Sequence, residues 1–228
     1  MKKIFVIAAH PDDEILGCGG TILKHAKNGD KVYVLFISEG VSARYKNKND
    51  PKCIKEIKDR QRMAIKASQI AKFKIVDFMN LKNLDLGSYS HTYISNKIIE
   101  CFKKYKPDVV YTHYEHDLNI DHYHTFFSTY VACRPNNKYL IKKLLSFEIP
   151  SSTDWGIRDK SKIFCPNYFV DINKFLKKKL KLLDCYKYEM RKAPHPRAIK
   201  NIKALSNYRG GIVGVENAEA FIVNKIIV

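Results

Sequence analysis

Two short stretches carry residue types that could hold a metal ion. The first, Val6-Ile-Ala-Ala-His-Pro-Asp-Asp-Glu14, ends a hydrophobic run in a histidine, a proline and three consecutive acids. Adjacent carboxylates repel one another unless a cation, a proton or solvent relieves them. The second, Thr112-His-Tyr-Glu-His-Asp-Leu-Asn-Ile-Asp-His122, again gathers His and Asp after an apolar run. Imidazole nitrogen with carboxylate oxygen is a zinc-type donor set, and a catalytic zinc keeps three protein ligands and an open position. A divalent cation would offset the repulsion in the first stretch. The glycines Gly17, Gly19 and Gly20 offer a rival reading as a dinucleotide loop. They lack the G-x-G-x-x-G order and follow an acidic turn, a poor place for a pyrophosphate, so they read as close-packing glycines.

The surrounding pattern shows how the two stretches meet. Residues 3–8 (KIFVIA) and 31–38 (KVYVLFIS) read as buried strands, with a helix over 15–27 that Asn28-Gly29-Asp30 stops. A polar loop at 39–51 leads to a helix over 54–71, a strand over 73–79 and a helix over 93–105. Lys106-Pro107 ends that helix before a strand at 108–113. Further on, helices are expected at 122–133, 173–190 and 196–208, and strands at 144–149 and 168–172. Such alternation predicts an α/β fold, a Rossmann-like, mostly parallel sheet with helices on both faces, in one domain over 1–228. Both His/Asp stretches then fall at the carboxyl ends of strands, where open α/β sheets carry their sites.

Bulk properties narrow the class. The chain has 228 residues and 45% hydrophobic content, enough for one sizeable core. No apolar run is long enough to span a bilayer, and the first one enters HPDDE without a cleavage-site pattern, which favours a core strand over a signal peptide. Six scattered cysteines without a CxxC pair point to a reducing, cytoplasmic setting, with Cys18 a small buried hydrophobe. The formal charge of +18 could attract nucleic acid, an anionic membrane or a phosphorylated substrate. Lysines occur in nearly every segment, so a generally Lys-rich surface is the simpler reading and nucleic acid is not favoured. The Lys174–Leu183 run carries an apolar stripe at Phe175, Leu176, Leu180 and Leu183. It reads first as a surface helix packed on the domain, and second as a membrane-contacting one.

The AHPDDE motif together with D-x-N-x-D-H at Asp117 to His122 resembles the PIG-L/LmbE-like family of zinc-dependent N-deacetylases. The likeness continues through the 146–155 segment (SFEIPSSTDW), Pro194-His-Pro-Arg197, Arg209-Gly210 and Ala218-Glu-Ala-Phe221. The resemblance implies His10, Asp13 and His122 as zinc ligands and Asp12 as general base. Other divalent metals suit the same donors. Some relatives place a histidine where this chain has Asn119, which can donate a hydrogen bond but no proton. Either Asp12 returns its proton to the leaving amine, or a histidine supplies one: His195 first, then His113 or His116. Asp121 is expected to orient a ligand or its loop, or to cap a helix starting at His122. Glu14 either favours the helix N-terminus or supports the site.

Arg44 and Trp155 are candidate substrate contacts, weighed against a solvated loop arginine and a packing tryptophan. Arg197, Arg209 and Glu219 are expected to form one buried ion-pair system. The implied activity is removal of an N-acetyl group from an amino sugar or glycoconjugate precursor, with a nucleotide-linked one attracted by the positive charge. The alternatives are a zinc amidase acting on a non-sugar N-acyl substrate, and a polyanion-binding module with a degenerate metal site. The sequence leaves oligomeric state open.

Overall fold

The computed structural model describes residues 1–135, 139–156 and 159–228. Its centre is β1 (Lys3–Ala8), a strand buried on both faces. Ile4, Val6 and Ala8 point into one core and Phe5 and Ile7 into another, the period-two alternation of a strand covered from both sides. Around it the sheet runs β3 (Lys74–Leu81), β2 (Lys31–Ser38), β1, β4 (Val109–His113), β5 (Lys143–Phe147), β7 (Ala218–Ile226), β6 (Tyr168–Asp171). Pairings from β3 to β5 are parallel; β7 runs antiparallel to both of its neighbours. The mostly parallel α/β expectation holds, with one strand added that the sequence pattern did not yield.

Helices α1 (Asp13–Lys27), α2 (Pro51–Ala71) and α5 (Asn173–Leu183) pack on the Ile4 face; α3 (His91–Tyr105) and α4 (Ile120–Ala132) cover the Phe5 face. α6 (Ile199–Ile212) lies against β7 and β6. Several helices start earlier than expected because their caps lie upstream. Asp50 accepts the Lys52 N–H with Pro51 in the first turn, and Ser90 accepts the Tyr93 N–H. The expected 173–190 helix stops at Leu183 and continues as a 3-10 turn over Asp184–Tyr186.

The glycines of α1 serve packing. A Cβ at Gly20 would stand 2.7 Å from Ile172 Cγ2, and one at Gly17 would enter the Phe147 ring. α1 can therefore lie close to β5 and to the start of α5, which fixes the acidic turn at its head.

Candidate metal centre

Where β1 ends, the chain turns sharply. Asp13 Oδ2 accepts the His10 N–H at 2.8 Å, Glu14 Oε2 accepts the Asp12 N–H at 3.1 Å, and Asp12 is held at φ 152°. A non-glycine residue in that region costs on the order of 1–3 kcal/mol. The turn projects His10, Asp12 and Asp13 from one strand end. The loop after β4 and the first turn of α4 project Asp117, Asp121 and His122 toward them. Asn119 caps α4, its Oδ1 accepting the Asp121 N–H at 2.9 Å. The helix thus begins at Ile120, and Asn119, not Asp121, is its cap; that hydrogen bond gives Asn119 a structural task.

Carboxylates set the tautomer of each facing imidazole. Asp121 accepts the Leu84 and Leu86 N–H groups and lies 3.0 Å from His10 Nε2. An ionised carboxylate only accepts, so His10 carries its proton on Nε2 and turns Nδ1 to Asp13, 3.2 Å away. Asp117 Oδ2 accepts a hydrogen bond from His122 Nδ1–H at 2.8 Å, and Nε2 stands 3.4 Å from Asp13 Oδ2. Ligand atoms of His10, Asp13 and His122 all lie within 4.8 Å of one another, and all three residues are buried. Among the described residues, no hydrogen-bond partner reaches His122 Nε2 or Asp13 Oδ1. Two buried ligand atoms without hydrogen-bond partners, beside imidazoles oriented by carboxylates, fit a divalent cation. Burial opposes a proton on His122, but Asp13 and Asp117 favour one and raise its pKa to about 9; the cation would take that proton's place.

A second trio, His113, Asp117 and His122, is equally compact, but its donors are engaged. His113 Nε2 accepts the Ala9 N–H at 2.8 Å, and Asp117 is committed to His122. His113 instead backs the centre, stacked on His122 with ring centroids 3.9 Å apart. Burial, then the neighbouring His122, holds it neutral.

The two adjacent acids differ sharply. Burial pushes Asp13 up, but the His122 and His113 imidazoles outweigh it and hold Asp13 well below the usual carboxylate range. Burial of Asp12 prevails over Arg60 and, with Asp13 beside it, leaves its pKa raised. Arg60 Nη2 stands 3.0 Å from Asp12 Oδ1 and Arg197 Nη1 3.1 Å from Asp12 Oδ2. Arg60 is fixed in turn by Pro11 O and Gly40 O and pairs with Glu189. Glu14, next along, accepts from the Tyr186 hydroxyl, and burial raises its pKa to about 8.

The remaining expected residues divide. Arg197 reaches Asp12 and Ser151, Arg209 pairs with Glu148, and Glu219 pairs with Lys179 while accepting the Gly20 and Thr21 N–H groups. The single ion-pair system expected of Arg197, Arg209 and Glu219 is therefore three separate ones, because each arginine is positioned beside a different carboxylate. Trp155 is exposed and meets the His195 ring edge-on at 5.1 Å. His195 Nδ1 accepts the Arg197 N–H, so the neutral ring carries its proton on Nε2. Arg44 is held by Glu56 and Glu189, and with Tyr45, Arg60, Met63 and Tyr188 it borders a cavity of about 400 Å³. His116 is partly exposed beside Glu115. Cys18 is buried and free, donating to Glu14 O.

Sequence reading missed the positions of Arg60, Glu189 and Asp117 in this centre. Asp117 was inside the motif, and Arg60 shares the buried stripe Arg60, Ala64, Ala67, Ala71 of α2. A cation on an apolar stripe needs a buried partner, which was a usable signal. Glu189 carried none.

The profile of the PIG-L family, described as GlcNAc-PI de-N-acetylase, matches residues 5–133, the span that contains both His/Asp loops. The chain belongs to the PIG-L family. Solved structures share its fold at low identity. N,N'-diacetylchitobiose deacetylase from Pyrococcus horikoshii is 21% identical, with a TM-score of 0.78 over 97% of this chain and 83% of its own. A teicoplanin deacetylase in a zinc-inhibited form is 13% identical, with a TM-score of 0.73 over 97% of each chain. GalB, the 4-carboxy-2-hydroxymuconate hydratase from Pseudomonas putida, is 22% identical, with a TM-score of 0.76 over 100% of this PIG-L chain and 98% of its own. The same scaffold therefore appears in proteins named as deacetylases and as a hydratase, and the residues of the site must distinguish them.

Proposed function

We propose that this PIG-L protein is a zinc-dependent hydrolase that removes an N-acetyl group from an amino sugar or a sugar conjugate. The observation that carries the reading is the unpartnered pair His122 Nε2 and Asp13 Oδ1 facing His10, beside a spare carboxylate of raised pKa. His10, Asp13 and His122 would hold the ion, which when bound supplies Lewis acidity to water and to the acyl carbonyl.

Asp12 takes the proton of the water that attacks the carbonyl carbon. Its strained backbone and two guanidinium partners aim it, and each of its oxygens keeps a lone pair for that proton. When the C–N bond breaks, Asp12 returns the proton to the departing amine, since Asn119 has none to give and His113 is neutral and buried. His195, neutral with its proton on Nε2, has a hydrogen bond to give to substrate, and exposed Trp155 beside it offers an apolar face to a sugar ring. Arg44 borders the neighbouring cavity, where its guanidinium, already paired with Glu56 and Glu189, keeps N–H groups for a substrate hydroxyl.

The named activities of the chitobiose and teicoplanin deacetylases support a sugar-containing substrate. The test is acetate release from a panel of N-acetylated sugars and conjugates, N,N'-diacetylchitobiose and a nucleotide-linked N-acetylglucosamine among them. It is run on protein stripped by chelator and reloaded with zinc from substoichiometric to excess. Acetate release that returns with the first equivalent of zinc supports the proposal. No acetate from any member at any loading, or hydration of an unsaturated acid instead, rejects it.

A further inference from the structure

The lysine-rich helix α5 has no part in the deacetylase reading. Its apolar residues Leu176, Leu182 and Leu183 are buried, and Lys179 is drawn inward to Glu219 and Leu16 O. Lys174, Lys177, Lys178 and Lys181 remain exposed. Beside them lie the final turns of α1 and α2. Leu23, Ala26, Ala71 and Phe175 floor a cleft of about 280 Å³, and Lys27, Lys72 and Lys178 rim it. Exposed Ile70 stands on the same last turn of α2.

The charge here is one-signed. Residues 15–29, 60–76 and 172–183 contain no Asp or Glu. The acids that border the face, Asp30, Asp171 and Asp184, stand at element ends, and Asp30 is already engaged by the Lys2 N–H and His25. A cationic surface of this breadth over an apolar cleft combines the two attractions that hold a protein on an anionic bilayer, headgroup charge and buried apolar area. A nucleic acid would use the charge and leave the apolar floor unused. α1 and α2 both return from the carboxyl edge of the sheet to its amino edge. The cleft therefore lies at the end remote from His10 and His122, and docking there leaves the metal centre uncovered. Among the described residues no helix is long and apolar enough to cross a membrane, so the contact is peripheral.

We infer that the α1–α2–α5 face docks this protein on anionic phospholipid bilayers, with Lys27, Lys72 and Lys178 meeting headgroups around the apolar cleft. The test is co-sedimentation of the full chain with phosphatidylcholine vesicles, with and without phosphatidylserine, at low and high salt. Two triple variants are compared: Lys27→Gln/Lys72→Gln/Lys178→Gln on this face, and Lys103→Gln/Lys104→Gln/Lys106→Gln on the α3 side. Both lower the net charge equally, and thermal melts check folding. The expected result is binding to phosphatidylserine vesicles that weakens with salt, falls roughly 100-fold in the first triple and changes little in the second. Absence of binding to anionic vesicles, or equal losses in both triples, overturns the inference. So does tighter retention on a short DNA duplex than on vesicles at the same salt, which would assign the face to nucleic acid.

Discussion

Asp12 and Asp13 are neighbours in sequence yet belong to two differently built regions. Asp13 faces nitrogen: three imidazoles surround it, carboxylates behind two of those rings fix their tautomers, and buried acceptor atoms are left without partners. Asp12 faces guanidinium: Arg60 and Arg197 pair with its two oxygens, and Glu189 and Arg44 extend the chain of ion pairs outward. On the proposed reading a cation completes the first region. The second is already compensated by its guanidinium partners, and it holds its carboxylate beside the first. On that reading, environment divides two chemically identical groups into a metal-facing anion and a proton carrier.

If that division is right, Asp12→Asn keeps its shape and its metal and lowers kcat about 10²–10⁴-fold, as measured by acetate release from metal-loaded protein. Retained activity would place the proton carrier elsewhere. Arg60→Met attacks the compensation itself. It leaves Asp12 and Glu189 short of a buried cation and is expected to cost about 3–5 kcal/mol in denaturant unfolding. Adding Asp12→Asn should restore part of the loss, whereas strict additivity would show that the two groups do not interact.

Asp117→Asn tests the first region from behind. It loosens the tautomer of His122 and should weaken metal binding by about 10–100-fold, read by competition with a chromophoric chelator. The smallest effect lies far from both regions. Burial is the largest single influence on Asp30 and pushes its pKa up, but the Lys2 N–H and the His25 ring together prevail and hold it below the ordinary 3.8. A depressed folded pKa contributes stability above about pH 4 that is lost as pH falls through the folded value. Asp30→Asn should cost about 1 kcal/mol at pH 7, converge with the parent in acid unfolding once the pH falls below the depressed folded value, and leave metal binding unchanged.

The parts of this picture that were legible in the sequence are those written locally. The unbroken apolar run of β1, the glycine stop after α1 and the two acidic loops at strand ends each sit within a few residues of their cause. Helix starts at Pro51, His91 and Ile120 were displaced because the capping side chain, not the first apolar residue, marks the boundary. The partners of Asp12 were hidden for a different reason. Arg60 comes from α2 and Glu189 and Arg197 from turns between Tyr186 and α6, and only the packing of α2 and of the 184–197 segment onto α1 brings them together around Asp12. β7 shows both effects. Phe221, Ile222 and Val223 are strand-forming residues, but nothing local announces that the strand inserts antiparallel between β5 and β6.

The most direct test of the division between the two acids is the metal content of Asp12→Asn against Asp13→Asn, measured by inductively coupled plasma spectrometry after equal zinc loading and desalting. The account predicts about one ion per chain in the parent and in Asp12→Asn, and almost none in Asp13→Asn. Metal lost from Asp12→Asn but kept by Asp13→Asn, or a parent protein that holds none, would contradict it.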